Sequence, residues 1–448
     1  MKLLRKIIFY CHLPLGIIAG LLILFMALTG SLIAFEKQIV DLAEQRTVTV
    51  PADQPRLSPQ TLIAKVKEAK PKAKPSGLLI QSDPSLAVTV SLGRDGILFV
   101  NPYTGELLGE GAKNLRAFFR FTTELHRWLA LEGKSRDVGK VITGVGSICF
   151  FFLALSGLFI WLPKGWTRQQ LKAITLFRLG LKGHAKNFNW HNVIGFWASL
   201  IIIFITITAT VMSFEWASNL LYTITGTERP KPAGSEQAKA KDNKDNKDNK
   251  DNKDNKDNKD NKDNKDNKDN KDNKDNNKPK PESGQTPSGE KPNASPNQKP
   301  QAEQEVPIEV LNNLDRFYLQ AEKQLPVNWK IMNLRFPTNT KTPVRVFINE
   351  GNYWQSSQLS IDQKTAEVIS YEPYTSVNLG RKLNSLARPV HTGEVLGLVG
   401  QVVIFLAAIG GSVLVWTGFA LAYHRFKLWL AKRAKLVGSI KALLGIFS

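Results

Sequence analysis

Residues 11–36 read CHLPLGIIAGLLILFMALTGSLIAFE and residues 190–215 read WHNVIGFWASLIIIFITITATVMSFE. Laid over each other without a gap, they match His12 to His191, Gly16 to Gly195, Thr29 to Thr208, Phe35 to Phe214 and Glu36 to Glu215. Apolar residues match apolar residues anywhere. The histidine, threonine and glutamate coincidences need another cause, and an internal duplication supplies one. Each stretch contains an uncharged run, 13–35 and 193–214, and two more such runs lie at 141–162 and 395–423. A hydrocarbon core of ~30 Å takes ~20 helical residues, so all four runs are long enough to cross it.

The second and fourth runs also align with each other. Gly139-Lys-Val-Ile falls on Gly400-Gln-Val-Val, and Ser156-Gly157 falls on Thr417-Gly418. A histidine precedes each: His126 ahead of Gly157 and His391 ahead of Gly418, with a spacing four residues longer in the first case. Between the runs, the turn Asn101-Pro-Tyr-Thr104-Gly-Glu106 matches Asp362-Gln-Lys-Thr365-Ala-Glu367, flanked on both sides by strand-like alternation. Amphipathic helix patterns at 57–69 and 308–324 precede the two turns. Each half therefore reads as one span, one small α+β segment and one span. Two spans per half give both halves the same orientation, and an axis relating them runs along the membrane normal.

Average composition hides this. The 448 residues are 42% hydrophobic with a mean hydropathy of −0.20, as in an ordinary soluble protein. Residues 241–276 are twelve copies of Lys-Asp-Asn, which depress that mean and are neutral overall. The net charge of +21 thus belongs to the rest of the chain. It clusters next to the spans: Lys2, Arg5 and Lys6 before the first, six Lys and Arg from Lys164 to Lys186 between the second and third, and six from Arg425 to Lys441 after the fourth. The positive-inside rule places these segments in the cytoplasm and the two long segments, about 36–140 and 215–394, outside. A soluble enzyme is excluded, and the basic excess points to a lipid surface rather than nucleic acid. The first run is longer than a signal-peptide core and lacks an Ala-x-Ala site, so it is expected to stay as a span. Cys11 and Cys149 sit at different depths and are not expected to pair, and no Cys-x-x-Cys-His exists to attach a c-type haem.

The ordered motifs CHLPLGIIAG with ALTG at 11–30, LHRWL at 125–129, NWHNVIGFW at 189–197 and RPVHTGEVLGLVGQ at 388–401 resemble the PepSY-associated transmembrane helix (PepSY_TM) family. The turn NPYTGELLGE at 101–110 is similar to the PepSY domain signature. The resemblance covers nearly all of the chain except the linker. It implies a multi-pass protein of the bacterial inner membrane, with both termini cytoplasmic and PepSY-like domains in the periplasm. It also implies a haem-containing reductase that passes electrons outward to a ferric siderophore for iron acquisition.

Haem b takes two axial imidazoles from opposite faces. A normal-directed axis sets His12 against His191 at the cytoplasmic end and His126 against His391 at the external end, so two haem b groups are expected. A lone histidine at a membrane interface is ordinarily just an interfacial polar residue; it is the duplication that argues for ligation. A helix continuous from His126 would carry that ring ~6 Å too far out, and Gly133 offers a place for a break. Arg388, three residues before His391, suits a haem propionate or a lipid headgroup. Glycines near the histidines leave room for a macrocycle or simply let spans pack closely. His184 and His424 have no repeat partner and read as exposed, although either is near enough to replace an inner ligand.

The expected organisation is the N-terminus and first span at 1–35, a PepSY-like α+β domain at 36–137, and a second span at 138–162. A basic loop follows at 163–190, a third span at 191–214, and a segment with a disordered linker at 215–305. A second PepSY-like domain at 306–390, a fourth span at 391–423 and a basic amphipathic tail at 424–448, lying on the inner leaflet, complete it. The linker is too poor in aliphatic residues to offset the entropy of ordering. No nucleotide-binding glycine motif occurs, so the electron donor is a lipid quinol or a separate cytoplasmic reductase. The alternative is a non-redox PepSY protein that binds peptides or regulates periplasmic proteases. A transporter is disfavoured because the four runs contain no ionisable residue.

Overall fold

The computed structural model describes residues 2–44, 47–163, 167–230, 306–352 and 354–443. The Lys-Asp-Asn tract and the rest of the expected linker up to 305 lie outside the described residues. Helix α1 (Lys2–Ile33) is followed directly by α2 (Glu36–Ala43). The polypeptide then forms α3 (Pro59–Ala69) and four strands, β1 (Gly77–Gln81), β2 (Val88–Ser91), β3 (Ile97–Val100) and β4 (Leu107–Gly109). Ser58 starts α3 by accepting the Thr61 N–H, with Pro59 pre-set at the first helical position. Next come α4 (Lys113–Trp128), α5 (Ser135–Trp161), α6 (Arg168–Thr175), α7 (Gly183–Ser213) and α8 (Glu215–Ile224). The second external segment holds α9 (Ile308–Asn312), α10 (Leu314–Glu322), β5 (Ile331–Arg335), β6 (Val344–Asn349), β7 (Ser356–Ile361) and β8 (Val368–Glu372). Helices α11 (Leu379–Thr392) and α12 (Gly397–Leu443) close the chain.

Among the described residues, four helical segments are long and apolar enough to cross a membrane: Leu3–Ala43, Ser135–Trp161, Gly183–Ser213 and Glu394–Val437. The chain is a membrane protein with four such spans. They pack in a ring in which α1 touches α5, α5 touches α7, α7 touches α12 and α12 touches α1. Helices α1 and α7, which carry the two matched stretches, are thus diagonal.

All eight strands form one antiparallel sheet of order β4-β3-β2-β1-β5-β6-β7-β8. The sequence suggests two separate α+β domains; the structure instead joins the two external segments through β1 and β5. The register sets Leu78 opposite Leu334 and Ile80 opposite Met332. The physical reason is an edge: a four-stranded sheet ending at β1 would present a row of unpaired N–H and C=O groups, and pairing it with the equivalent edge at β5 satisfies both. Gly77 permits the join, since a Cβ there would lie 2.8 Å from the Leu334 carbonyl oxygen. A single core results, in which Leu62, Ile63 and Val66 of α3 and Leu314, Phe317 and Ala321 of α10 pack with the strands. The two helices are tied together by the Gln60 N–H, which donates to Asp315 Oδ1 at 2.8 Å. Leu78 and Leu334 are both 0% exposed, so Leu334→Ala removes packing from both halves at once. The expected cost is about 2–5 kcal/mol, read as a lowered thermal midpoint of the detergent-purified protein.

The two turns that match in sequence have the same hydrogen bonds. Asn101 Oδ1 accepts the N–H groups of Tyr103 and Thr104 at 2.9 and 3.3 Å. Asp362 Oδ1 accepts those of Lys364 and Thr365 at 2.8 and 3.0 Å. Those backbone donors hold the Asp362 carboxyl below its ordinary pKa. The left-handed position is Gly105 (φ 75°) in one turn and Ala366 (φ 58°) in the other.

Two further differences concern helix ends. The basic tail, expected as a separate surface segment, continues the fourth span without a break in α12, which runs for 47 residues. No Gly or Pro intervenes between Trp416 and Leu436 except Gly418, and the intervening residues are mostly good helix formers. Helix α7 begins at Gly183, so His184 lies on the same helix as His191 rather than in a loop.

Candidate functional site

Two short amphipathic helices bring histidines to the sheet-side end of the ring. Helix α4 ends with Leu129 and Ala130 in the left-handed region, and Gly133 (φ 55°) turns the chain into α5. The helix is therefore broken between His126 and the second span, in the segment that holds Gly133. Helix α11 ends at Gly393 (φ 79°), and Gly397 (φ 60°) begins α12. Each spanning helix then folds back against the helix before it. A Cβ on Gly139 would overlap the Trp128 carbonyl, and one on Gly400 would overlap the Gly393 carbonyl. These two glycines, which align in the sequence, let the backbones touch and seat His126 and His391 over the ends of the first and third spans.

The rings of His126 and His391 face each other with centroids 6.3 Å apart and planes inclined at 58°. His126 Nδ1 lies 3.0 Å from Thr29 Oγ1 on α1, and His391 Nδ1 lies 3.1 Å from Thr208 Oγ1 on α7. At the far end, His12 Nδ1 lies 2.8 Å from Ser156 Oγ on α5, and His191 Nδ1 lies 2.9 Å from Thr417 Oγ1 on α12. His12 and His191 stand on the diagonal helices, within electrostatic reach of each other. All four rings thus make the same contact, through the same nitrogen, with a hydroxyl on a neighbouring helix.

The residue after each hydroxyl is small: Gly30, Gly157, Ala209 and Gly418. At three of these the histidine ring packs next to the glycine, most tightly at Gly30. A Cβ on Gly30 would stand 3.1 Å from His126 Cε1, one on Gly157 3.5 Å from His12 Cε1, and one on Gly418 3.6 Å from His191 Cε1. The matches of Thr29 with Thr208 and of Ser156-Gly157 with Thr417-Gly418 stand in the sequence, but nothing local there gives them a role. The signal was present as a Ser/Thr followed by Gly or Ala in each of the four apolar runs.

The remaining residues fall into place around these pairs. Arg388 lies on α11 one turn before His391 and interacts electrostatically with Arg127, which also feels Arg136. The guanidiniums of Arg127 and Arg136 both cover the Trp128 ring, at 4.8 and 3.8 Å from its centroid. Three arginines therefore cluster beside the His126 and His391 pair. At the opposite end His184 and His424, both exposed, are brought together with centroids 4.3 Å apart, and Phe188 stacks on His184. Cys11 and Cys149 are free thiols.

The donor set fits a bis-imidazole iron. Metal–imidazole nitrogen bonds are about 2 Å and the nitrogen is about 1 Å from its ring centre, so two imidazoles that held one iron between them would have centroids about 6 Å apart. The His126–His391 spacing has that value, and with Nδ1 occupied, Nε2 is the nitrogen left on each ring. Among the described residues, no group of three or more His, Cys, Asp or Glu side chains converges on a bare metal ion.

A search of curated proteins finds no match. The family profile described as the PepSY-associated TM region matches residues 9–425, a range that contains all six histidines, the sheet, the second and third spans and most of the first and fourth. On that match, over nearly its whole length, the chain belongs to the PepSY-associated TM region family.

Proposed function

We propose that the chain is a di-haem b electron-transfer protein of a bacterial inner membrane, which reduces a ferric siderophore or other ferric chelate in the periplasm for iron acquisition. The observation that carries the proposal is the set of four histidines in two groups at opposite ends of the ring. Each is anchored at Nδ1 by a hydroxyl, and the outer two are spaced so that both rings would reach one iron. His126 and His391 would hold one haem, and His12 and His191 the other. Iron so held supplies one-electron transfer between its Fe(III) and Fe(II) states.

Along α1, His12 and the Thr29 that anchors His126 are seventeen residues apart, or about 25 Å at 1.5 Å per residue. The two histidine pairs thus divide a membrane crossing that neither would span alone. Lys2, Arg5 and Lys6, with the basic loop and tail, support a cytoplasmic assignment for the His12 end. The sheet, read as two PepSY-like halves of a duplicated chain, is then periplasmic. Arg127, Arg136 and Arg388 supply positive charge at the outer pair, suited to haem propionates or an anionic chelate. The substrate needs no acid or base from the protein, because siderophores hold Fe(III) far better than Fe(II), and gain of one electron loosens the metal. Electrons enter from a lipid quinol or a cytoplasmic reductase.

A second reading, in which the protein binds peptides or regulates proteases without redox chemistry, draws on the free sheet edge at β8, where Ile369 is exposed. It leaves the four anchored histidines unexplained. The test is optical. Purified protein reduced under argon is expected to show the visible bands of b-type haem and to lose them when a ferric hydroxamate chelate is added, with Fe(II) appearing in a ferrous-specific dye. Reduced bands that persist in the presence of ferric hydroxamate, ferric catecholate and ferric citrate would refute the reductase function.

A further inference from the structure

Each imidazole has one proton to place, and its neighbours determine where. Thr29 Oγ1 lies 2.8 Å from the Phe25 carbonyl oxygen and 3.1 Å from that of Met26. Thr208 Oγ1 lies 2.9 and 2.8 Å from those of Phe204 and Ile205. Thr417 Oγ1 has Val413 and Leu414 at 2.7 and 3.1 Å, and Ser156 Oγ has Phe152 and Leu153 at 2.6 and 3.2 Å. A hydroxyl has one proton and two acceptor lone pairs. All four donate that proton back into their own helix, the usual arrangement for Ser and Thr in a helix interior. The oxygen is left able only to accept from the imidazole.

A second acceptor points the same way. His391 Nδ1 lies 3.0 Å from the Ile205 carbonyl oxygen, which has no proton to give. The Met26 and Leu414 carbonyls lie near the rings of His126 and His191. In each case the carbonyl belongs to the residue three before the hydroxyl, and at His391 one helical turn presents two oxygens to one ring nitrogen. The opposite tautomer would set a nitrogen lone pair against the carbonyl lone pairs and leave the hydroxyl to abandon its own helix.

We infer that Thr29, Ser156, Thr208 and Thr417 are positioning residues that hold the four histidines as Nδ1–H tautomers, each with its Nε2 lone pair free for a metal. The tautomer follows from the hydrogen bonds alone; its consequence for iron rests on the haem reading above. An acceptor on the outer N–H of a ligating histidine fixes the ring and raises its basicity. That favours Fe(III) over Fe(II) and lowers the potential, the direction a donor to an external ferric substrate requires.

Two measurements on the full-length protein separate the inference from the haem reading. In ¹⁵N-histidine-labelled protein purified without haem, solid-state NMR is expected to show His391, assigned by its absence in His391→Ala, with a protonated Nδ1 and a bare Nε2. A protonated Nε2 would overturn the inference whether or not the protein binds haem. In haem-loaded protein, Thr208→Val keeps the side-chain shape and removes one acceptor. Outer-shell partners are worth ~10-fold or more in metal affinity, and a tenfold loss of preference for Fe(III) raises a one-electron potential by ~59 mV. The outer potential is expected to rise by that amount, and Thr208→Ser to restore it. Because the Ile205 carbonyl still accepts the His391 N–H, an unchanged potential in loaded Thr208→Val would overturn the positioning role of Thr208 and leave the bis-histidine assignment standing. If Thr208→Val does not assemble, Thr29→Val tests the other ligand of the same pair. A wild-type protein that takes up no haem would refute the haem reading, and the NMR result would then decide the tautomer by itself.

Discussion

His391→Ala is expected to lose one of two haems and all reduction of an external ferric chelate, while the remaining haem is still reduced from the cytoplasmic side. His391 sits on α11, between the sheet and the fourth span, with its ring 6.3 Å from His126. Its removal takes away one of the two imidazoles that would hold the outer haem and leaves His126 without its partner ring. The inner pair, about 25 Å away along α1, keeps both of its hydroxyl anchors, Ser156 and Thr417. The distinction is measured in inverted membrane vesicles, where a donor added outside reaches the cytoplasmic face: the remaining b-type absorbance is reduced, but chelate enclosed in the lumen is not. Reduction of the enclosed chelate at the wild-type rate would show that the outer pair is not on the path.

Non-additivity of the inner ligands is the second large effect. His12→Ala and His191→Ala should each lose the same haem, and the double variant should lose no more than either single one, whereas His12→Ala with His391→Ala should lose both. The argument needs no substitute ligand at the inner site, and the structure bears on the two candidates. His184 lies seven residues before His191 on α7 and His424 seven after Thr417 on α12, which is why the two meet at 4.3 Å. Two helical turns separate each from the inner pair, about 10 Å, so neither reaches the position of His12 or His191 without unwinding its helix. Optical difference spectra of the four variants provide the test. Loss of both haems in His12→Ala alone would contradict independent sites.

How much of this was legible in the sequence depends on how local the cause is. The four spans were legible because an uncharged run of twenty or more residues has few other uses, and Gly133 marked the break after His126 because glycine tolerates the left-handed turn found there. The junction of β1 and β5 was not legible. Leu78 and Leu334 are 256 residues apart in the sequence, and nothing local in either strand names its partner across an open edge. The continuity of α12 was missed because a change from apolar to basic residues reads as a boundary, although a helix crosses it without cost. The hydroxyls were visible as matches, Thr29 with Thr208 and Ser156 with Thr417, yet their role depends on which helices are neighbours in the ring. The sequence singled out His126 and His391 as partners from their symmetry; their hydrogen bonds to Thr29 and Thr208 depend on the packing of distant helices.

The most direct measurement of the central claim is haem per chain, by pyridine haemochrome against protein mass, in the wild type and in His126→Ala, His391→Ala and their double variant. The account predicts about two b-type haems in the wild type and about one in each of the three variants, with the same spectral component missing every time. A wild type that shows no Soret band after reconstitution, or a double variant that retains both haems, would contradict it.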